Sequence, residues 1–192
     1  MSVDIRGIGA SAKPLEGFDK KTMAADNASL IDRLGHSRAH VVGHDIGAQV
    51  AHSLAANFPG ATETLTMQDV PQPDEGLPKW PPLPTHGTFS DKIDDDHAYA
   101  RWFAFHQVKN LPEELLESRV YIEQEWIFRY LMKDESAIDT RDRAVYAAAY
   151  ATKDASRAGS ASHQAFAQDI IDEQGYAMIE IPVPRIAGPC HN

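Results

Sequence analysis

The five residues Gly43-His44-Asp45-Ile46-Gly47 constrain this chain more than any other stretch. They follow His40-Val41-Val42 and precede a segment in which Val50, Ala51, Leu54, Ala55 and Phe58 share a helical face until Pro59-Gly60. A strand that turns at once into a helix brings its last residues against the helix's first turn. Glycines two before and two after the central residue remove side chains that would collide there. Such a bend lifts Asp45 above the sheet. It also leaves the Ile46 amide free at a helix N-terminus, where it can stabilise an oxyanion. The alternative is an ordinary strand-to-helix turn with Asp45 as N-cap.

The surrounding pattern predicts an α/β fold. Val3-Asp4-Ile5 reads as the tail of a strand, followed by a turn through Gly7 and Gly9. Asp19 is placed to cap a helix reaching about Leu34, with Met23, Asn27, Leu30, Ile31 and Leu34 as its inner stripe and Gly35 just past its end. His40 to Val42 is expected to be a short buried strand, and Glu63 to Met67 the next. Strands separated by helices imply a parallel sheet. Prolines 71, 73, 78, 81, 82 and 84 then interrupt any helix or central strand, which marks a linker. Helices are expected over 99–107, 112–132, 139–151 and 155–173, and Ile179 to Ile186 reads as a strand. The domain reading is therefore an α/β core over 1–75, a linker over 76–89, a helical cap over 90–175 and a return strand over 176–192. A helical block between two strands of a parallel sheet is expected to cover the sheet's carboxyl edge.

Charge narrows the partners. With 28 acidic against 18 basic residues the net charge is −10. That repels nucleic acid and anionic membrane surfaces, so neither is expected as a partner. Asp94-Asp95-Asp96 has a lone His97 beside it and reads as a solvated run, so no metal and no cofactor are expected. The single cysteine, Cys190, permits no disulfide within the chain and fits a reducing, cytoplasmic setting. No apolar run approaches the roughly 18 residues of a membrane span. Met1 to Arg6 lacks the pattern of a signal peptide.

An aspartate at the centre of the turn defines a chemistry. Its carboxylate ionises near pH ~4 and needs no base to become nucleophilic. It can displace a leaving group from saturated carbon and form an alkyl ester, which an activated water then hydrolyses. Small epoxides and alkyl halides suit that sequence of steps.

Residues Asp4 to Ser11, the helix after them and Val41 to Gly47 together resemble the epoxide hydrolases and dehalogenases of the α/β-hydrolase superfamily, over residues 3–75. Trp102 to Gln107, Pro112-Glu113 and Phe166 to Asp169 are similar to the cap of those enzymes, and Ile181 to Pro184 to the strand that follows it. The resemblance implies a hydrolase with Asp45 as nucleophile on an elbow of Gly43, His44 and Gly47, and the Ile46 amide as oxyanion donor. Asp69, 24 residues after Asp45, is the candidate acid that orients a histidine; its other reading is a turn residue before Pro71. Trp102 and His163 stand where epoxide hydrolases carry two cap tyrosines. A tryptophan at the first position is what haloacetate dehalogenases carry, but Ile46 and Gln49 stand where those enzymes place arginines.

The resemblance also implies parts this sequence does not supply. The His-Gly-x-Pro loop belongs before Asp4, whereas His86-Gly87 follows the nucleophile. The catalytic histidine belongs beyond residue 192. His191 falls one strand early, and the His44 side chain is expected to point off the site and pack beside the oxyanion pocket. The expectation is an epoxide hydrolase-like enzyme in an incomplete copy, the alternatives being a dehalogenase or a catalytically silent fragment. Unpaired strand edges would favour self-association.

Overall fold

Asp19 starts the first helix. One of its carboxylate oxygens accepts the Thr22 amide at 2.8 Å and the other the Thr22 hydroxyl at 2.9 Å, and α1 (Lys20–Arg33) follows. Leu34 closes the helix and Gly35 adopts φ +81°, the left-handed conformation that suits glycine after a helix. Met23 and Ala24 are buried. Leu34, expected on the inner stripe, is the C-cap residue and is 47% exposed.

The chain then forms β1 (Ala39–His44), α2 (Ile46–Asn57) and β2 (Thr62–Gln68), with a single 3-10 turn, Pro59–Ala61, before β2. β1 and β2 are parallel, with His40 opposite Thr64 and His44 opposite Gln68. β3 (Arg185–Ala187) pairs in parallel with Leu65 to Met67, so the sheet order is β1-β2-β3. Ala51, Ala55 and Leu65 form a core cluster, with Val41, Ala56 and Met67 packed on it. Side chains alternate along a strand, so Val42 faces the opposite side and is 67% exposed. The expectation of a short buried strand fails there.

This computed structural model describes residues 1–84, 92–93, 99–176 and 185–187. Contacts group them into two units, Met1–Leu15 with Lys79–Gln164 and Glu16–Pro78 with Ala165–Asn192. The second unit holds the sheet just described. The first holds α3 (Arg101–Gln107), α4 (Leu111–Leu116), α5 (Val120–Leu131), α6 (Thr140–Ala149) and α7 (Lys153–Gln164). Tyr130 is fully buried at its centre, stacked on Trp126 at 4.8 Å and flanked by Tyr99 at 5.0 Å.

The helical stretch differs from the sequence reading at two joints. Ser118 takes φ +59° and donates its amide to the Ala151 carbonyl at 3.0 Å, which splits the 112–132 helix into α4 and α5. The 155–173 helix breaks at Ala165 into α7 and α8 (Phe166–Tyr176). By its contacts α8 groups with the sheet unit, whereas the sequence reading carries the helical block to residue 175.

Two shorter segments also differ. Val3-Asp4-Ile5 forms no strand. Asp4 instead accepts the Ala10 amide at 3.0 Å through its side chain and the Ser11 hydroxyl at 2.5 Å through its carbonyl, closing a loop where a ladder was expected. The proline-rich stretch holds one 3-10 turn, Leu77–Lys79. His86-Gly87, Asp94 to His97, residues 179–184, Cys190 and His191 lie outside the described residues. Among the described residues no helix is long and apolar enough to cross a membrane.

Candidate active site

Gly43 is the residue the turn cannot replace. A Cβ built on it would lie 2.6 Å from the Ala48 Cα and closer still to the Gly47 carbonyl oxygen, so only glycine lets the end of β1 approach α2 this closely. Gly47 carries no such demand, because a Cβ there meets nothing within 4 Å. Between them Asp45 adopts φ 50° and ψ −131°, a strained conformation for a residue with a side chain. Its amide still donates to the Gln68 carbonyl at 3.1 Å, and its own carbonyl accepts the Ala48 amide at 2.8 Å, so the strain is held from both sides.

Asp45 occupies the N-cap position of α2, yet its side chain makes no capping hydrogen bond. Asp19 and Asp139, at the N-caps of α1 and α6, both cap in the ordinary way. The Asp45 carboxylate is therefore held out of the role its position would give it. Desolvation pushes its pKa above the ordinary carboxylate value, while the Ile46 amide, His44 and Lys20 pull the other way. The side chain stays open to solvent, which limits that push.

Asp69 follows Gln68 as Asp45 follows His44, and the two preceding residues are opposite each other in the sheet register. Both aspartates take φ 50°. The carboxyl end of two adjacent parallel strands thus carries two aspartates on matching bends. The His44 side chain is expected to point off the site and pack beside the oxyanion pocket. It is exposed, with Nε2 3.8 Å from Asp69 Oδ2. A pair this exposed contributes about 0–1 kcal/mol and serves orientation more than stability.

Trp102 and His163 belong to the helical unit. Phe103 meets both, edge-on to Trp102 at 5.3 Å and to His163 at 5.7 Å. His163 also lies 5.1 Å from the His106 ring. His106 Nδ1 is 2.9 Å from Ser160 Oγ, and its Nε2 is 3.2 Å from Glu123 Oε2. Glu123 in turn takes Arg101 at 3.3 Å. No local pattern announces this network, since its members lie on three helices.

No motif in the sequence singles out Lys20. Its Nζ sits 2.7 Å from Asp169 Oδ2 and its amide donates to Asp169 Oδ1 at 2.8 Å, with the two side chains 4% and 1% exposed. Asp169 resembles a residue of the cap, but it packs within the sheet unit. Its partner lies 149 residues away, too far for any spacing argument.

A family model described as the alpha/beta hydrolase fold matches residues 1–103. The chain belongs to the α/β-hydrolase fold family. Among curated relatives, a soluble epoxide hydrolase of Corynebacterium sp. (strain C12) is 43% identical over 67 residues, 35% of this chain and 23% of that protein. A fluoroacetate dehalogenase of Burkholderia sp. is 30% identical over 120 residues, 59% of this chain and 35% of that protein. Among solved structures, wild-type Cfl2 from Burkholderia cenocepacia superposes with a TM-score of 0.76 at 27% identity, covering 95% of this chain and 60% of that one. The epoxide hydrolase CorEH gives 0.74 at 25% identity, covering 95% and 62%. The chain therefore spans about a quarter to a third of those curated relatives and some three-fifths of those solved chains.

Proposed function

We propose that this α/β hydrolase acts on a small epoxide through an ester formed on Asp45, without a cofactor or metal. The observation that carries the reading is Asp45 itself, an aspartate at an N-cap position whose strained backbone keeps its side chain from capping. An Asp45 carboxylate oxygen attacks the less hindered epoxide carbon, the carbon–oxygen bond of the ring breaks, and the resulting alkoxide takes a proton from water. Trp102 and His163, on the helical unit that we assign as the cap, are the groups proposed to meet the substrate. The Ile46 amide supports the oxyanion of the later hydrolytic step, and Asp69 is proposed to orient the histidine that activates water. A cytoplasmic setting fits this chemistry.

A second reading has its own support. The fluoroacetate dehalogenase relative matches over more of this chain than the Corynebacterium epoxide hydrolase does, and Trp102 would present an indole N–H to a halide. The carboxylate displaces halide from carbon in that case, and Asp45 keeps its role.

Incubation with a styrene-oxide-like epoxide or a 2-haloacetate, read by intact-protein mass spectrometry, separates the readings. The epoxide should add its whole mass to Asp45, and Asp45→Ala should add nothing. Haloacetate adduct alone would favour the dehalogenase. Adduct that accumulates without release would make this chain competent only for the first step. An unmodified Asp45 with both reagents would overturn the assignment of the nucleophile.

A further inference from the structure

We propose that Asp69 makes the candidate site selective for substrate charge, so that Asp45 reacts with neutral compounds in preference to anions. The proposal rests on the reading of Asp45 as nucleophile. It gives Asp69 a part in the first chemical step, in which the orientation of a histidine plays none. Backbone geometry fixes how near the two carboxylates are. The Asp45 amide donates to the Gln68 carbonyl at 3.1 Å, and His44 stands opposite Gln68 in the parallel register. The residues that follow, Asp45 and Asp69, leave the sheet side by side, both at φ 50°. Neighbouring strands are about 4.8 Å apart and an aspartate side chain is two carbon–carbon bonds long. The carboxylates therefore lie within about 10 Å whichever way the side chains turn, one Debye length at ~0.1 M salt.

The cations of the sheet unit do not offset this pair for an incoming anion. Ile46 and Gln49, on the helix side of the turn, are uncharged, and Gln49 Nε2 donates to the Pro71 carbonyl at 2.9 Å. The Lys20 ammonium is 2.7 Å from Asp169 on a side chain only 4% exposed, so a substrate does not reach it. Lys21 lines the same small pocket as Asp172 and Glu173. Arg38 lies against Glu63 at the opposite end of the strands. His44, 3.8 Å from Asp69, offsets its charge only when protonated. An anion brought up to Asp45 is thus repelled by a second carboxylate as well, and a neutral substrate is not. At a separation of roughly 8 Å that second charge slows an anion by about twofold in bulk water and about thirtyfold at a protein surface.

The test uses two alkylating reagents of the same shape that differ by one charge, 2-chloroacetamide and 2-chloroacetate. With each, an Asp45 oxygen bonds to the α-carbon and chloride leaves with the electron pair of the carbon–chlorine bond. Peptide mass spectrometry at Asp45 gives the two rates, and their ratio is compared between the wild type and Asp69→Asn. Asparagine tolerates a positive φ as aspartate does, so the variant keeps the bend and loses the charge. A change in packing alters both rates together and cancels in the ratio. The amide-to-acetate ratio should fall about two- to thirtyfold in Asp69→Asn, and a ratio equal to that of the wild type would overturn the proposal. If Asp69→Asn does not fold, salt decides in the wild type. Between ~0.01 M and ~1 M salt the ratio should fall more steeply than for acetate ion with the same reagents, and an equal or smaller fall would overturn the proposal. No adduct with either reagent would overturn the nucleophile reading and this proposal with it, whereas adducts with an unmoved ratio would overturn this proposal alone.

Discussion

At the residue scale, two glycines that look equivalent in sequence have different jobs. A Cβ on Gly43 collides with the backbone of Gly47 and Ala48, whereas one on Gly47 meets nothing. Gly43→Ala should therefore cost about 1–3 kcal/mol, the usual penalty of overpacking. Gly47→Ala, inside the first turn of α2, should be neutral or stabilise by up to about 1 kcal/mol. Urea melts of the two variants check this, and equal effects would contradict the clash argument. Asp45 carries the second residue-scale prediction. Desolvation raises its pKa, so the ionised fraction is lost at a higher pH than for a free aspartate as acid is added. The acid limb of Asp45 alkylation against pH should lie above the ordinary value of ~4. A limb at or below that value would mean that the amide of Ile46 and the neighbouring cations dominate.

At the element scale, α8 shows how a helix assigned by pattern to one block packs within another. Phe166, Asp169, Glu173 and Tyr176 fall at three- and four-residue spacing on one face. Asp169 takes Lys20 of α1, Glu173 takes His52 of α2 at 3.2 Å, and the Tyr176 hydroxyl meets Ser53 and Asn57, both at 2.8 Å. The face is largely polar, so a search for an apolar stripe does not find it. Burial disfavours both charges of the Lys20–Asp169 pair, pushing the lysine pKa down and the aspartate pKa up. Removing one partner strands the other. Lys20→Met alone should destabilise by roughly 3–5 kcal/mol, whereas Lys20→Met/Asp169→Leu should come within about 1 kcal/mol of the wild type or exceed it. Thermal melts of the single and double variants decide. A single variant as stable as the double would mean that the stranded carboxylate finds another partner.

At the scale of the whole molecule, a small sheet leaves apolar surface open. Among the described residues β1 pairs with a strand on one side, and Val42 is 67% exposed on its face. Such an edge favours association. Light scattering at micromolar concentration should show the protein self-associating, and Val42→Lys should reduce it; a monomer at all concentrations would contradict this. What depends on near neighbours is legible along the chain. The cap at Asp19, the left-handed Gly35, the succession β1-α2-β2 and the bend around Asp45 each follow from residues within a few positions of one another, where sterics and hydrogen bonding are local. Tertiary structure decided the rest. Ser118 breaks a helix because its amide reaches Ala151, and Val3 to Ile5 fails to form a strand because Asp4 and Ser11 close a loop. Val42 is exposed because pairing fixes which face each side chain takes. Asp69 comes to lie beside His44 because β1 and β2 are in register, and Lys20 meets Asp169 across most of the chain. Contacts of that reach leave no periodicity in sequence, since the energy of a buried charge pair depends on what lies beside it in space and not on what precedes it in the chain.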